Sequence, residues 1–132
     1  MRTVRTFHDL IVWQKAFELC LDVYRATVSF PADERYGMTA ELRKTSRSVA
    51  YNIAEGHRRG STADYVRFLH IAHGSAAELE TQFFLSRALH YLDEQAGDLL
   101  VQRLHEIERM LSKLMQRLRE RTLAPTPPLA SP

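Results

Sequence analysis

The feature that most constrains the fold is the placement of the prolines, which occur only at positions 31, 125, 127, 128 and 132. The stretch 32–124 therefore contains no proline. Long uninterrupted helices require this, because proline lacks the amide hydrogen that a helix interior donates. Apolar residues recur at spacings of three and four, and two-residue alternation is nowhere sustained. The sequence predicts an all-α protein.

The apolar spacing divides into four blocks, which predict helices over about 9–29, 33–57, 61–89 and 94–121. Asp9 and Ser61 are predicted N-caps, and Pro31 ends the first helix. Long helices joined by short connections lie antiparallel, which predicts an up-down-up-down four-helix bundle over 9–121. Residues 1–8 are an N-terminal extension. Residues 122–132, with four prolines in eleven residues, are predicted to be a disordered tail.

The first helix carries two apolar stripes, either of which could face the core. The predicted core seam consists of Leu10, Trp13, Phe17, Cys20, Tyr24 and Thr27. A second stripe, about 100° away on a helical wheel, consists of Val12, Ala16, Leu19 and Val23. Apolar area beyond one seam is typical of an oligomer interface, so the second stripe is predicted to mediate self-association. The alternative is that it broadens the core contact.

Composition sets limits on the class of protein. The 132 residues are 45% apolar, which suits one globular domain, and 18 Lys and Arg against 16 Asp and Glu give a net charge of +2. No run approaches the ~18 consecutive apolar residues of a membrane span. The single Cys20 excludes an internal disulfide. These features predict a cytoplasmic protein with no membrane partner.

Catalytic and metal-binding patterns are weak. No Asp or Glu has a His three positions later, which argues against the di-iron sites found in some four-helix bundles. His70 and His73 share a helix face, but two ligands make an incomplete site, and surface histidines are the simpler interpretation. Cys20 falls on the predicted core seam, where a thiol behaves as a small hydrophobe. We expect a non-enzymatic protein with no cofactor and no metal.

Local charge is more informative than the total. Residues 35–59 hold six cations and two acids, and five of the cations are candidates for nucleic-acid binding: Arg43, Lys44, Arg47, Arg58 and Arg59. On a helical wheel Arg43, Arg47 and Arg58 fall within about 60° of each other, about 150° from the apolar seam. Clustered guanidinium groups suit phosphate contacts with RNA or DNA. A solvated helix face remains the alternative.

A polar motif lies beside the seam of the second helix. Asn52 is predicted to fix the bundle register through its amide, and Gly56 to end the helix. Gly74 is assigned to close helix packing. We interpret Asn52, Glu55, Gly56 and Gly74 as structural, and ligand binding by Asn52 and Glu55 is the alternative.

Several of these motifs occur together in one known family. They are Phe-His-Asp-Leu at 7–10, Val-Trp-Gln-Lys-Ala at 12–16, Phe-Pro at 30–31, Glu-Arg-Tyr-Gly at 34–37, Asn-Ile-Ala-Glu-Gly at 52–56, Arg-Phe-Leu at 67–69, Gly-Ser at 74–75 and Glu-Leu-Glu at 78–80. Over about 7–118 the chain resembles the bacterial four-helix bundle proteins encoded in 23S ribosomal RNA intervening sequences. Where that family usually has Gln-Ile-Arg-Arg-Ala, this chain has Glu-Leu-Arg-Lys-Thr at 41–45, which keeps the basic pair.

The resemblance implies a ring-shaped homopentamer. It also implies kinship with the accessory variability protein of diversity-generating retroelements, a pentamer that binds RNA and a reverse transcriptase. The resulting hypothesis is a homo-oligomeric adaptor that binds RNA or DNA through a repeated basic surface, with a reverse transcriptase or another protein as a further partner. The alternatives are a protein-binding scaffold without nucleic acid and a small-molecule or metal site in the bundle.

Overall fold

The computed structural model describes residues 3–123, which fold into four α-helices. They are α1 (Ile11–Thr27), α2 (Met38–Arg58), α3 (Thr62–Ala88) and α4 (Glu94–Leu123), with short 3-10 turns at Phe7–Asp9 and Ala32–Glu34. No strand occurs among the described residues. The predicted all-α class is confirmed.

The helices pack as a four-membered bundle in which each helix contacts its two neighbours. α2 lies against α1 and α3, and α4 closes the bundle by packing against α3 and α1. The short connections make consecutive helices antiparallel, so the up-down-up-down arrangement is confirmed. The buried residues of α2, α3 and α4 recur at the spacings of three and four from which the helices were predicted. They include Leu42, Val49 and Ile53 of α2, Ala72, Ala76, Leu79 and Phe83 of α3, and Leu100, Leu104, Ile107, Leu111 and Leu118 of α4.

Local contacts explain where the helices begin and end. The predicted cap of α3 is present, because Ser61 Oγ accepts a hydrogen bond from the Asp64 amide at 3.1 Å. Asp9 differs from the prediction: its carboxylate accepts from the Arg5 and Thr6 amides, which closes the first 3-10 turn, and α1 begins at Ile11. α3 ends at Ala88, and His90, two residues later, has a left-handed φ of 62° that lets Tyr91 N donate to Ser86 O.

The rotation of α1 about its axis corrects the sequence analysis. Val12, Ala16, Leu19 and Val23 are at most 5% exposed and form the contribution of α1 to the core. Of the stripe that was predicted to be the core seam only Thr27 is buried; Trp13 and Tyr24 are half-buried, and Phe17 is 47% exposed. The assignment of Val12, Ala16, Leu19 and Val23 to an oligomer interface is therefore wrong, because the bundle itself covers them.

The C-terminal end of the bundle extends slightly beyond its predicted bound. α4 continues through Leu123, two residues past 121. The rest of the predicted disordered tail, 124–132, lies outside the described residues, as do positions 1 and 2 of the N-terminal extension. Within 3–123 no helix has the length and apolar character that crossing a membrane requires.

Candidate nucleic-acid interface

Two of the five candidate cations converge on one tyrosine in the groove between α1 and α2. The Arg43 guanidinium lies over the Tyr24 ring, 4.8 Å from its centroid, and Arg43 Nε donates to Thr27 Oγ1 at 2.9 Å. Arg47 Nη1 donates to the Tyr24 hydroxyl at 2.5 Å. Arg43 and Arg47 are one helical turn apart, so both reach the same side of α1. We call Tyr24, Arg43 and Arg47 the Arg–Tyr cluster.

The positive charge of the Arg–Tyr cluster has no acidic partner among the described residues. Arg43 and Arg47 donate only to neutral oxygens, those of Thr27 and Tyr24. Other arginines of the bundle do pair with carboxylates: Arg25 and Arg103 with Asp22, Arg59 with Glu55, Arg67 with Asp64, and Arg87 with Asp98. The cluster therefore holds two oriented guanidinium groups with uncompensated charge, an arrangement suited to an anionic group.

Arg43 and Arg47 lie side by side as the helical wheel predicted, but they do not point in the predicted direction. Arg43 and Arg47 are half-buried and lean against α1 rather than pointing away from the bundle. Their hydrogen bonds to Thr27 and Tyr24 of α1 hold them in this direction. A helical wheel describes one helix alone, so it could not predict these bonds. Lys44, beside them on α2, is exposed.

Arg58 and Arg59 lie at the other end of α2 and form a separate group. Fifteen residues separate Arg43 from Arg58, about 22 Å along a helix. The Arg58 guanidinium lies 5.8 Å from the centroid of the Phe7 ring. Arg59 pairs with Glu55 at 3.0 Å and stacks on Phe68. The structure thus divides the five candidate cations into the Arg–Tyr cluster with Lys44 and a distal pair.

The polar motif of α2 is a bridge to α3. Asn52 Nδ2 donates to Ser48 O at 2.8 Å, and Ser48 Oγ lies 2.8 Å from Ser75 Oγ of α3. Both hydrogen bonds of Asn52 Nδ2 therefore stay within α2, and the link to α3 runs through Ser48. Glu55 is exposed and paired with Arg59, apart from this network.

The two motif glycines differ in surroundings. Gly56 is buried inside α2, two residues before its end, and a Cβ there would lie 2.8 Å from Phe68 Cβ and 3.2 Å from Tyr65 O. Gly56 thus permits the close approach of α2 to α3 instead of ending α2. Burial at this contact also raises the pKa of Tyr65 to about 12. Gly74 is exposed with nothing within 4 Å of such a Cβ, so its assignment to close packing is wrong.

One group of ionisable residues was missed by the sequence analysis. Glu80 of α3 meets His105 and Glu108 of α4, and ligating atoms of the three lie within 4.8 Å of one another. Burial, followed by the hydrogen bond and the charge of Glu80, raises the pKa of Glu108. The search for Glu-x-x-His did not find this group, because here the histidine precedes the acid on α4 and the third residue comes from α3.

The comparisons with known proteins agree with the fold and the motifs. The family model described as 23S rRNA-intervening sequence protein matches residues 8–113, which is most of the chain. The protein belongs to this family. Among solved structures, a protein of unknown function from the S23 ribosomal protein family of Bacteroides thetaiotaomicron is similar, with a TM-score of 0.73 and 22% identity. That match covers 80% of this chain and 99% of the other, and at this identity it supports the fold alone.

No curated protein matches the chain.

The contrast between the two glycines is testable. Gly56→Ala should lower the free energy of unfolding by about 1 to 3 kcal/mol, because the added methyl overlaps Phe68 and the α3 backbone. Gly74→Ala should raise it by about 1 kcal/mol, because alanine favours the helix and the site is open. Urea unfolding followed by circular dichroism measures both. Equal destabilisation by the two substitutions would contradict the assigned surroundings.

Proposed function

We propose that this protein is a non-enzymatic, homo-oligomeric adaptor of the cytoplasm that binds structured RNA or DNA through the Arg–Tyr cluster. The observation that supports this most is the uncompensated charge of Arg43 and Arg47, held in fixed orientation by Tyr24 and Thr27. A guanidinium group whose direction is already set loses little side-chain freedom when it meets a phosphate.

The aromatic ring of Tyr24 adds a second mode of contact. Unpaired bases stack on aromatic rings and on guanidinium planes, and basic grooves with aromatic side chains are typical of proteins that bind single-stranded or looped nucleic acid. Tyr24 is half-buried and Lys44 is exposed one residue from Arg43. The cluster therefore favours RNA loops or single strands over regular duplex.

Self-association would multiply a weak site. A single Arg–Tyr cluster offers few phosphate contacts, and the chain has a net charge of only +2. Several copies on one assembly raise the apparent affinity if they can engage the same nucleic acid together. The resemblance to intervening-sequence proteins implies five copies in a ring, and we carry that number into the proposal.

The outer face of α1 is the surface we assign to self-association. Phe17 and Leu21 of α1, and Val28 directly after its end, are 47%, 40% and 77% exposed. Phe17 stacks on Trp13, which also contacts Phe7 and His8, so the face continues into an aromatic group at the start of α1. Contiguous exposed apolar area of this kind marks an interaction site. We assign self-association to this face instead of the stripe formed by Val12, Ala16, Leu19 and Val23, which the bundle covers.

The assembly should be visible by mass. In analytical ultracentrifugation the assembly is expected at about 77 kDa, the mass of five 15.3 kDa chains. Replacing Phe17 and Leu21 together by Lys should shift it to monomer with unchanged helix content, because both side chains lie outside the core. The matched control carries lysine at two exposed positions of α3, Ala63 and Ala77. A monomeric wild type, or a double variant that remains assembled, would contradict the proposal.

The nucleic-acid contact should depend steeply on salt. Binding of structured RNA, single-stranded DNA and duplex DNA is measured by fluorescence anisotropy over a range of KCl concentrations. Replacing Arg43 and Arg47 by Gln should reduce the slope of log K against log salt by about 1 to 2, because each lost phosphate contact removes about 0.7 to 0.9. Sequence preference should change little, since phosphate contacts do not read bases.

The control for this experiment removes the same number of positive charges from another surface of the bundle. Arg25 and Arg103 both pair with Asp22 on the opposite side of α1, so Arg25→Gln with Arg103→Gln removes two positive charges without touching the Arg–Tyr cluster. Its salt slope should match that of the wild type. If wild-type protein shows no salt-dependent binding to any of the three nucleic acids, the adaptor proposal fails. A scaffold that binds protein alone would then take its place.

A further inference from the structure

The seam between α3 and α4 carries three side chains whose ligating atoms converge. His105 and Glu108 share one face of α4 because they are three residues apart, and Glu80 reaches them from α3. His105 Nε2 lies 3.0 Å from Glu80 Oε1, and one ligating atom from each of the three residues lies within 4.8 Å of the other two. Glu80, His105 and Glu108 are called the Glu–His–Glu triad below.

An unsatisfied oxygen distinguishes the triad from an ordinary ion pair. Glu108 Oε1 is buried, and no hydrogen-bond donor reaches it among the described residues. A buried oxygen without a partner is costly, and for a carboxylate the cost is greater still. Burial, then the hydrogen bond and the negative charge of Glu80, raise the pKa of Glu108, so the two neighbouring carboxyl groups disfavour each other's ionisation. A cation between the two carboxylates would remove both penalties.

The remaining charges around the triad are mixed. Arg109 lies beside Glu108 and, with His105, opposes the rise in its pKa. The triad itself contributes two carboxylates when His105 is neutral, and a neutral imidazole is the form that binds metal. Glu108 also lines an open surface groove of about 460 Å³, together with the cations Arg109 and Lys113.

We propose that the Glu–His–Glu triad binds a divalent transition-metal ion, for which Zn²⁺ is the best-fitting candidate, and that the bound ion links α3 to α4. One imidazole nitrogen with two carboxylate oxygens suits Zn²⁺ and its first-row neighbours, whereas Ca²⁺ and Mg²⁺ prefer oxygen ligands alone. Water would complete the coordination shell. The site lies between α3 and α4, so its test is independent of the adaptor proposal.

The probe is Zn²⁺ itself, titrated by isothermal calorimetry into tag-free, full-length protein that has been freed of metal with EDTA. One ion should bind per chain in a saturable way, and His105→Gln or Glu108→Gln should each weaken binding at least about tenfold. Co²⁺ gives a second readout, because its visible absorption reports nitrogen ligation and should change in His105→Gln. Zn²⁺ should also raise the thermal midpoint of the wild type but not that of the variants.

The matched control is His70→Gln. His70 is an exposed histidine on the same seam, bonded to Arg119, and its loss should leave Zn²⁺ affinity unchanged. Circular dichroism in EDTA tests whether each variant is folded. If Glu108→Gln does not fold, Glu80→Gln replaces it as a ligand variant. The proposal is overturned if the wild type shows no saturable binding. It is equally overturned if folded ligand variants bind as tightly as His70→Gln does.

Discussion

The rotation of α1 about its own axis is the constraint on which the other surfaces of this bundle depend. α1 carries two apolar stripes, and only the one with smaller side chains, Val12, Ala16, Leu19 and Val23, faces inward. Burying Leu19, which is 2% exposed, contributes about 2 kcal/mol. Polar contacts on both sides of α1 are consistent with this rotation. Lys15 forms an ion pair with Glu106 of α4, and the Tyr24 hydroxyl accepts a hydrogen bond from Arg47 of α2.

Both proposed binding surfaces of α1 follow from that rotation. With the small stripe inside, Tyr24 lies over the α1–α2 groove, where it orients Arg43 and Arg47 without neutralising them. The same rotation turns Phe17 and Leu21 to solvent. A rotation of about 100° would bury Phe17 and expose Ala16 and Leu19, and would leave the two arginines without their ring. The Glu–His–Glu triad, on the opposite seam, depends instead on the packing of α3 on α4.

The sequence could predict the elements that have a single apolar stripe. α2 and α4 each have one dominant stripe, so their core faces followed from spacing, and the Ser61 cap followed from local chemistry. α3 has apolar side chains on other faces as well, since Ile71, Phe84 and Leu85 are exposed, and its buried series was predicted from the spacing of three and four alone. The two stripes of α1 are similarly apolar, and the choice between them is made by partners on other helices. Arg43 and Arg47 were identified by charge, but their direction depends on Tyr24. The Glu–His–Glu triad combines residues of α3 and α4. Its prediction requires knowing that these two helices are neighbours, and the residue pattern of a single helix does not contain that information.

The rotation of α1 can be measured directly by the accessibility of single thiols. In a Cys20→Ser background, Phe17→Cys and Ala16→Cys place a thiol on the outer and the inner stripe, and labelling at nanomolar protein concentration prevents assembly from covering the outer face. The structure predicts that the thiol at 17 reacts with a maleimide nearly as fast as in the unfolded chain. The thiol at 16, a position 1% exposed, should react only when the bundle opens. Rapid labelling at 16 with protection at 17 would contradict the account.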